Sequence, residues 1–135
     1  LLPFAALAVG AWWLPPPRAM LAHTLLLHYG AVILTFVGAV HWGVQLALTG
    51  RLSVAAMVWS VVPSLVAVAA LQAQPDLAAM ALALALLISW AVDAVLYAPF
   101  DFKHWFLPLR GVLSFGAACA LIAGAFAPSA LGALR

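Results

Sequence analysis

Five long apolar stretches alternate along the chain with short breaks made of proline, charged and other polar residues. The breaks read "PPPR", "TGR", "QAQPD" and "PFDFKHW". A bilayer core about 30 Å thick is crossed by a helix of roughly 20 apolar residues. The pattern therefore predicts an all-α fold, a polytopic membrane helix bundle that forms a single domain of five transmembrane helices at about residues 1–14, 19–49, 52–71, 77–98 and 106–126.

The first two stretches depart from the length that one membrane crossing needs. The first has 14 residues and begins with Leu1 rather than methionine, so we expect further residues before it. It contains no small-residue cleavage pattern, which favours a retained helix over a signal peptide. The second stretch is longer than one crossing requires, and we expect it to tilt or to extend into the headgroup region.

Composition supports a membrane location, since 69% of the residues are hydrophobic, only 6% are charged, and the mean hydropathy is +1.23. Soluble domains carry about 25% charged residues. The formal charge of +2 comes from scattered loop residues without a basic patch, which excludes a nucleic-acid partner. The predicted partners are membrane lipids and other membrane protein subunits. We expect a bacterial inner membrane, with Arg51, Lys103 and Arg110 on the cytoplasmic side.

Four polar side chains within or at the start of apolar stretches are candidates for a buried cluster: His41, Gln45, Asp93 and Arg110. A charged group at the bilayer centre costs at least about 2.5 to 3.5 kcal/mol and usually faces the protein interior. Counted from the shared end of their helices, His41 lies roughly 12 Å deep and Asp93 roughly 8 to 10 Å deep. We therefore expect Asp93 to pair with Arg110, with protonated His41, or with both, and Gln45 to extend the network. The alternative is that His41 bonds a backbone carbonyl or hydroxyl and serves packing only.

The segment "YGAVILTFVGAVHWG" predicts a helix-packing face. Gly30, Gly38 and Gly43 remove side-chain bulk, which lets a second helix approach closely, and Trp42 accompanies them.

No residue pattern predicts catalysis or a metal site. The chain has no phosphate-binding motif and no nucleophile paired with a base, so we expect it not to be an enzyme. A haem held by two histidines is disfavoured because His23, His28 and His41 share one helix. No cofactor is predicted, although contact with a pigment or lipid stays open. His41 beside Trp42 is then the place for a single axial ligand to a chlorophyll-type pigment.

Several segments together resemble the transmembrane protein 69 family, whose bacterial members form a domain of unknown function. They are "LLPF", "YGAVILTFVGAVHWG", "PSL", an acidic residue in the fourth stretch, and "HWFLPLR". The resemblance covers nearly the whole chain. It implies a basic residue at His41, arginine in some members, opposite an acid at Asp93. Because arginine cannot bind a metal or haem there, it counts against a ligand role for His41. The family implies no settled activity, and mitochondrial relatives associate it with energy-transducing membranes.

Two functions fit this reading of the sequence. One is a non-catalytic bundle that serves as an accessory or assembly subunit of a larger respiratory or photosynthetic complex; it predicts apolar outer faces and no solvated cavity. The other is a small transporter or proton-handling protein, which predicts a cavity that reaches His41, Asp93 and Arg110.

Overall fold

The computed structural model describes residues 1–51, 53–98, 101 and 103–128, and within them the chain forms five α-helices and no strand. The all-helical prediction is therefore confirmed. The helices are α1 (Leu2–Trp13), α2 (Pro16–Thr49), α3 (Val54–Ala70), α4 (Pro75–Leu96) and α5 (Lys103–Ala125).

The helix ends follow local sequence signals. Pro16 opens α2, where a missing backbone N–H leaves no helical donor unsatisfied. Gly50 ends α2 with a φ of 64°, a left-handed conformation that glycine adopts without a Cβ clash. The Ser53 side chain accepts a hydrogen bond from the Ala56 backbone N–H at 3.2 Å and caps α3. These signals set a tight turn that returns α3 alongside α2.

Three helices are long and apolar enough to cross a membrane, so the prediction of five crossings is corrected. They are Pro16–Ala47 within α2, Pro75–Leu96 and Lys103–Ala125. With 12 residues, α1 has a length of about 18 Å, and α3, with 17 residues, reaches about 25 Å. Both fall short of a hydrocarbon core of about 30 Å. The apolar pattern predicted the helices correctly but overestimated how many are long enough to cross.

Helix α2 is central to the bundle and packs against the other four helices, while α4 and α5 form a closely packed pair. At the end of the bundle that holds the N-terminal halves of α2 and α4, the core consists of leucine and alanine. We call this region the apolar end; its buried residues include Leu26, Ala78, Ala79, Leu82, Ala118 and Leu121. The opposite end, where the C-terminal parts of α2 and α4 meet the N-terminal parts of α3 and α5, is called the polar end.

Two of the three predicted packing glycines lie at close helix contacts. A Cβ on Gly38 would lie 2.7 Å from the Ser60 carbonyl oxygen and 2.9 Å from the Pro63 ring, so α2 and α3 meet there nearly backbone to backbone. A Cβ on Gly30 would lie 3.2 Å from the Leu121 side chain. Both contacts fit the role of small residues in helix packing.

The packing prediction is wrong for Gly43 and Trp42. A Cβ on Gly43 would meet nothing within 4 Å, and the Trp42 side chain is 47% exposed. Both residues lie on the outer face of α2, because each residue rotates the helix by about 100°, which turns positions 42 and 43 away from the buried face that holds His41. The sequence pattern alone did not distinguish these two faces.

Candidate functional site

The structure brings three of the four predicted cluster residues into direct contact. The Asp93 carboxylate receives the Arg110 Nε–H at Oδ2, at 2.9 Å, and its Oδ1 lies 2.9 Å from His41 Nε2. The side chains of His41, Asp93 and Arg110 are 4%, 3% and 11% exposed. These three residues, here called the polar cluster, join α2, α4 and α5 in a region sheltered from water, where Asp93 and Arg110 carry opposite charges. Unpaired, such charges would be strongly unfavourable.

Arg110 is held in place within its own helix. Its Nη1 donates a hydrogen bond of 2.6 Å to Ser114 Oγ, one turn further along α5. Its Nη2 is buried and has no hydrogen-bond partner among the described residues. One side of the guanidinium is thus fixed on Asp93 and Ser114, while the other retains donor capacity.

His41 also contacts two aromatic residues that sequence reasoning did not assign to the site. The Tyr97 hydroxyl lies 2.9 Å from His41 Nδ1, and the two rings stack at 5.6 Å with 19° between their planes. From α3, Trp59 Nε1 donates to His41 Nε2 at 3.2 Å. A sequence signal existed for Tyr97, which follows Asp93 by four residues on the same face of α4. None existed for Trp59, because its position depends on how α3 packs against α2.

Tyr97, which caps α4, keeps its hydroxyl proton. Burial raises its pKa above the ordinary value for tyrosine, and the Asp93 carboxylate acts in the same direction while Arg110 partly opposes them. A protonated phenol both donates and accepts hydrogen bonds. It can therefore pair with His41 Nδ1 whether or not that nitrogen carries a proton.

His41 Nε2 has two neighbours with opposite requirements. The indole N–H of Trp59 only donates, so it needs an Nε2 without a proton, whereas the ionised Asp93 Oδ1 only accepts and needs an Nε2 that carries one. The Trp59 bond is aligned; Asp93 Oδ1 is near enough for an ion pair but has no aligned donor. Asp93 and Trp59 therefore cannot both be satisfied by this nitrogen at once.

Gln45 does not extend the polar cluster, which corrects that part of the prediction. Its side chain turns to α3, donates to Ser53 Oγ at 3.0 Å and accepts the Ser53 backbone N–H at 2.9 Å. One turn beyond His41, Gln45 is already level with the start of α3, so the nearest unsatisfied polar groups are those of the helix cap. Its contribution is to fix the turn between α2 and α3.

Cavities lie on two sides of the polar cluster. The first, of about 410 Å³, lies between α2, α3 and the end of α4, and its lining includes His41, Gln45, Trp59, Leu96 and Tyr97. The second, of about 370 Å³, is bounded by α1, α2, α4 and α5, and its lining includes Tyr29, Phe36, Asp93, Phe106, Arg110 and Ser114. Both volumes lie in the range of small-molecule sites, about 300 to 1,000 Å³. A proton or ligand in either cavity reaches a member of the cluster.

Geometry disfavours the axial-ligand role considered for His41. Its Nδ1 faces Tyr97, and its Nε2 faces Trp59 and Asp93, so neither ring nitrogen is open to a pigment or haem. Within residues 1–51, 53–98, 101 and 103–128, no group of three or more histidine, cysteine or acidic side chains is arranged to hold a metal ion.

Comparison with known proteins gives one match. A family described as a protein of unknown function, DUF3429, matches residues 1–126. No curated protein and no solved structure matches the chain.

Proposed function

The chain belongs to the DUF3429 family of proteins of unknown function, and because that membership assigns no activity, we propose a function from the site itself. We propose that the protein is a small, non-catalytic, proton-handling membrane protein. It takes up and releases a proton at the polar cluster, in the membrane leaflet at its polar end, and occupation of an adjacent cavity is linked to that proton.

The observation that carries this proposal is the position of Asp93 Oδ1, which lies 2.9 Å from His41 Nε2 yet has no aligned hydrogen-bond donor. Its sister oxygen already receives the Arg110 Nε–H. A carboxylate can accept hydrogen bonds on both oxygens. Only one of the two carboxylate oxygens therefore accepts a hydrogen bond. A proton on His41 Nε2 would supply the donor that Oδ1 lacks.

The charge of the polar cluster changes by one with that proton. Without it, Asp93 and Arg110 form a neutral pair beside a neutral imidazole. With it, two cations flank one anion, each on its own carboxylate oxygen. Histidine is the side chain whose charge ordinarily changes near physiological pH, so this step is accessible to a cell. A cavity of about 410 Å³ lies directly beside the His41 ring.

Nuclear magnetic resonance of the protein in lipid nanodiscs, with ring-¹⁵N histidine, tests the proposal directly. The chain has four histidines, and His41→Gln assigns one set of signals. We expect the protonated fraction of His41 to change across the physiological pH range, and Asp93→Asn to lower that fraction at any given pH, because it removes the facing anion.

The matched control is His28→Gln on the same helix, since His28 is exposed and bonds only its own helix, at the Thr24 carbonyl oxygen. It should leave the His41 signals unchanged. The proposal fails if His41 keeps one protonation state throughout, or if Asp93→Asn leaves its pH dependence as in the wild type while circular dichroism shows folded helices.

The second candidate is an accessory or assembly subunit of a respiratory or photosynthetic membrane complex. It is favoured by large apolar side chains on the outside of the bundle, among them Trp13 (84% exposed), Phe36 (65%) and Trp105 (63%). Such surfaces suit lipid or another membrane protein. Gentle purification from native membranes distinguishes the candidates, since a subunit leaves the membrane in a stoichiometric complex with defined chains and a self-sufficient proton-handling protein does not.

For both candidates we propose the bacterial inner membrane as the location. The three apolar helices that are long enough to cross a bilayer support a membrane location. Membrane fractionation of the source cell tests the location.

A further inference from the structure

We propose that the first cavity binds a neutral, lipid-soluble carbonyl compound, of which a quinone is the representative class, and that Trp59 Nε1–H recognises its carbonyl oxygen when His41 Nε2 carries a proton. This inference rests on the proposed proton uptake at His41. It adds a consequence of that proton uptake. The Trp59 N–H, which donates to His41 before the proton arrives, donates to the ligand afterwards.

Trp59 supplies the recognition. The indole N–H is a donor without acceptor capacity, and in the structure it donates to His41 Nε2 at 3.2 Å. A proton on that nitrogen turns the acceptor into a second donor, which then pairs with Asp93 Oδ1 only 2.9 Å away. Trp59 loses its partner and must find another acceptor in the cavity that it lines. A carbonyl oxygen meets that requirement.

The ligand is neutral because the first cavity offers it no direct counter-charge. None of its lining residues is an aspartate, glutamate, lysine or arginine. Asp93 and Arg110 already neutralise each other behind His41. Among the lining residues that the structure describes, protonated His41 would be the one charged residue, and its ring nitrogens face Tyr97 and Asp93 rather than the open cavity. A charged molecule would lose its hydration there without a direct counter-charge, which is unfavourable in a region of low dielectric.

The residues that line the first cavity favour an apolar ligand with a flat ring. Besides Trp59 and the stacked rings of His41 and Tyr97, aliphatic residues from α2, α3 and α4 line the space. The two other polar lining residues are hydrogen-bonded to each other: Gln45 and Ser53. Leu96 in the same wall is 47% exposed, so the cavity lies at the outer surface of the bundle rather than in its centre. A planar ring can lie against the aromatic faces while an alkyl tail extends toward lipid.

The pH dependence of ligand binding rests on the few titratable groups that surround His41. Asp93 and Tyr97 face His41 from α4, and Arg110 reaches it from α5 through Asp93. Trp59, from α3, does not titrate. Tyr97 keeps its proton, and Arg110 is always charged. Proton gain at His41 is therefore the step expected to change the hydrogen bond of Trp59 between mildly acidic and mildly alkaline solution.

The test uses decylubiquinone as the probe and dodecylbenzene, which has a ring and a tail but no acceptor, as the matched molecule. Binding to the protein in nanodiscs is followed by the ¹⁵N-indole signals of the six tryptophans, with Trp59 assigned by Trp59→Phe. We expect decylubiquinone to shift the Trp59 signal and to bind roughly three- to tenfold more tightly in mildly acidic than in mildly alkaline solution, the gain of about one hydrogen bond.

Trp59→Phe should bind the quinone with no pH dependence, whereas Trp90→Phe serves as the control, because Trp90 donates to the Leu107 carbonyl oxygen away from this cavity. Equal affinity for the two probes, or an unchanged pH effect in Trp59→Phe, overturns the inference. If His41 gains its proton but decylubiquinone does not bind, this inference alone is wrong. If His41 never changes protonation, the proposed function is wrong, and any quinone binding must then be independent of pH.

Discussion

Two buried histidines on α2 show how differently the two ends of the bundle use the same side chain. His23, at the apolar end, is 3% exposed, and His41, at the polar end, is 5% exposed. They are about 27 Å apart along the helix axis. His41 has a hydrogen-bonding or ionic neighbour at each ring nitrogen. His23 Nε2 has no hydrogen-bond partner among the described residues.

Burial alone therefore does not place a histidine in a hydrogen-bonded network. The His23 ring lies beside Gly124, where a Cβ would come within 3.6 Å of it, and Asp76 is a charged group near it. His41 lies where Asp93, Tyr97 and Trp59 converge, so a proton on its ring changes what its neighbours can bond. The contacts supplied by other helices, rather than the residue type, separate the two roles.

The largest expected effect comes from breaking the charge pair at the polar end. Arg110→Met leaves the Asp93 carboxylate buried without its cation, and we expect the free energy of unfolding to fall by about 3 to 5 kcal/mol. Unfolding in mixed micelles with increasing sodium dodecyl sulfate, followed by circular dichroism, measures it. The double variant Asp93→Asn with Arg110→Met should recover part of the loss. A single variant as stable as the wild type would mean that the pair does not stabilise this end.

At the apolar end, packing rather than charge should decide stability. Leu82 is 0% exposed, and Leu82→Ala should lower the free energy of unfolding by about 2 to 5 kcal/mol by leaving a cavity. Leu84→Ala is the matched control, since Leu84 is 59% exposed on the same helix and should change stability by less than about 0.5 kcal/mol. The same unfolding assay applies. If Leu82→Ala also altered the protonation of His41, packing at the apolar end and proton binding at the polar end would be energetically coupled.

The contact between α2 and α3 should respond to one methyl group. Gly38→Ala places a Cβ 2.7 Å from the Ser60 carbonyl oxygen, a backbone atom that cannot move aside cheaply, and should destabilise by about 1 to 3 kcal/mol. Gly43→Ala, one and a half turns away, meets nothing and should be neutral or stabilising by up to about 1 kcal/mol. Equal effects of the two changes would show that α3 does not lie against Gly38.

The smallest expected effect concerns His23. Because its Nε2 has no partner in the part of the chain that the structure describes, His23→Leu removes no hydrogen bond of that nitrogen and should change the free energy of unfolding by less than about 1 kcal/mol in either direction. His41→Leu serves as the comparison and should destabilise more, since Tyr97, Trp59 and Asp93 all lose a partner. Similar losses for both histidines would remove the distinction between the two ends.

Much of the fold was predictable because hydrophobic composition and proline breaks are local signals. They predicted five helices in nearly the right places. The first stretch, with 14 residues, was already shorter than a crossing needs. The same signals did not predict that α3 falls short as well, because an apolar stretch has no mark that separates its helical part from its ends. The helix-packing role of Gly43 was wrong for a related reason, since a nearly all-apolar helix does not distinguish its inner face from its lipid face.

The polar cluster was predictable because this apolar chain has few charged residues, and charges buried among apolar residues are stable only when they are paired. His41, Asp93 and Arg110 share a depth, and depth follows from counting residues. Trp59 was missed because tryptophan is common in membrane helices, and its bond to His41 depends on the crossing of α2 and α3. Gln45 was misassigned because the cap of α3 offered a nearer partner.

The most direct test of the account is a double-mutant cycle between His41→Leu and Asp93→Asn, measured by unfolding in mixed micelles in mildly acidic and mildly alkaline solution. If the proposed proton uptake at His41 is right, the coupling free energy should be at least about 1 kcal/mol in acid and smaller in alkali. Effects that add within about 0.5 kcal/mol in both solutions would contradict the claim that these two side chains share a proton-sensitive contact.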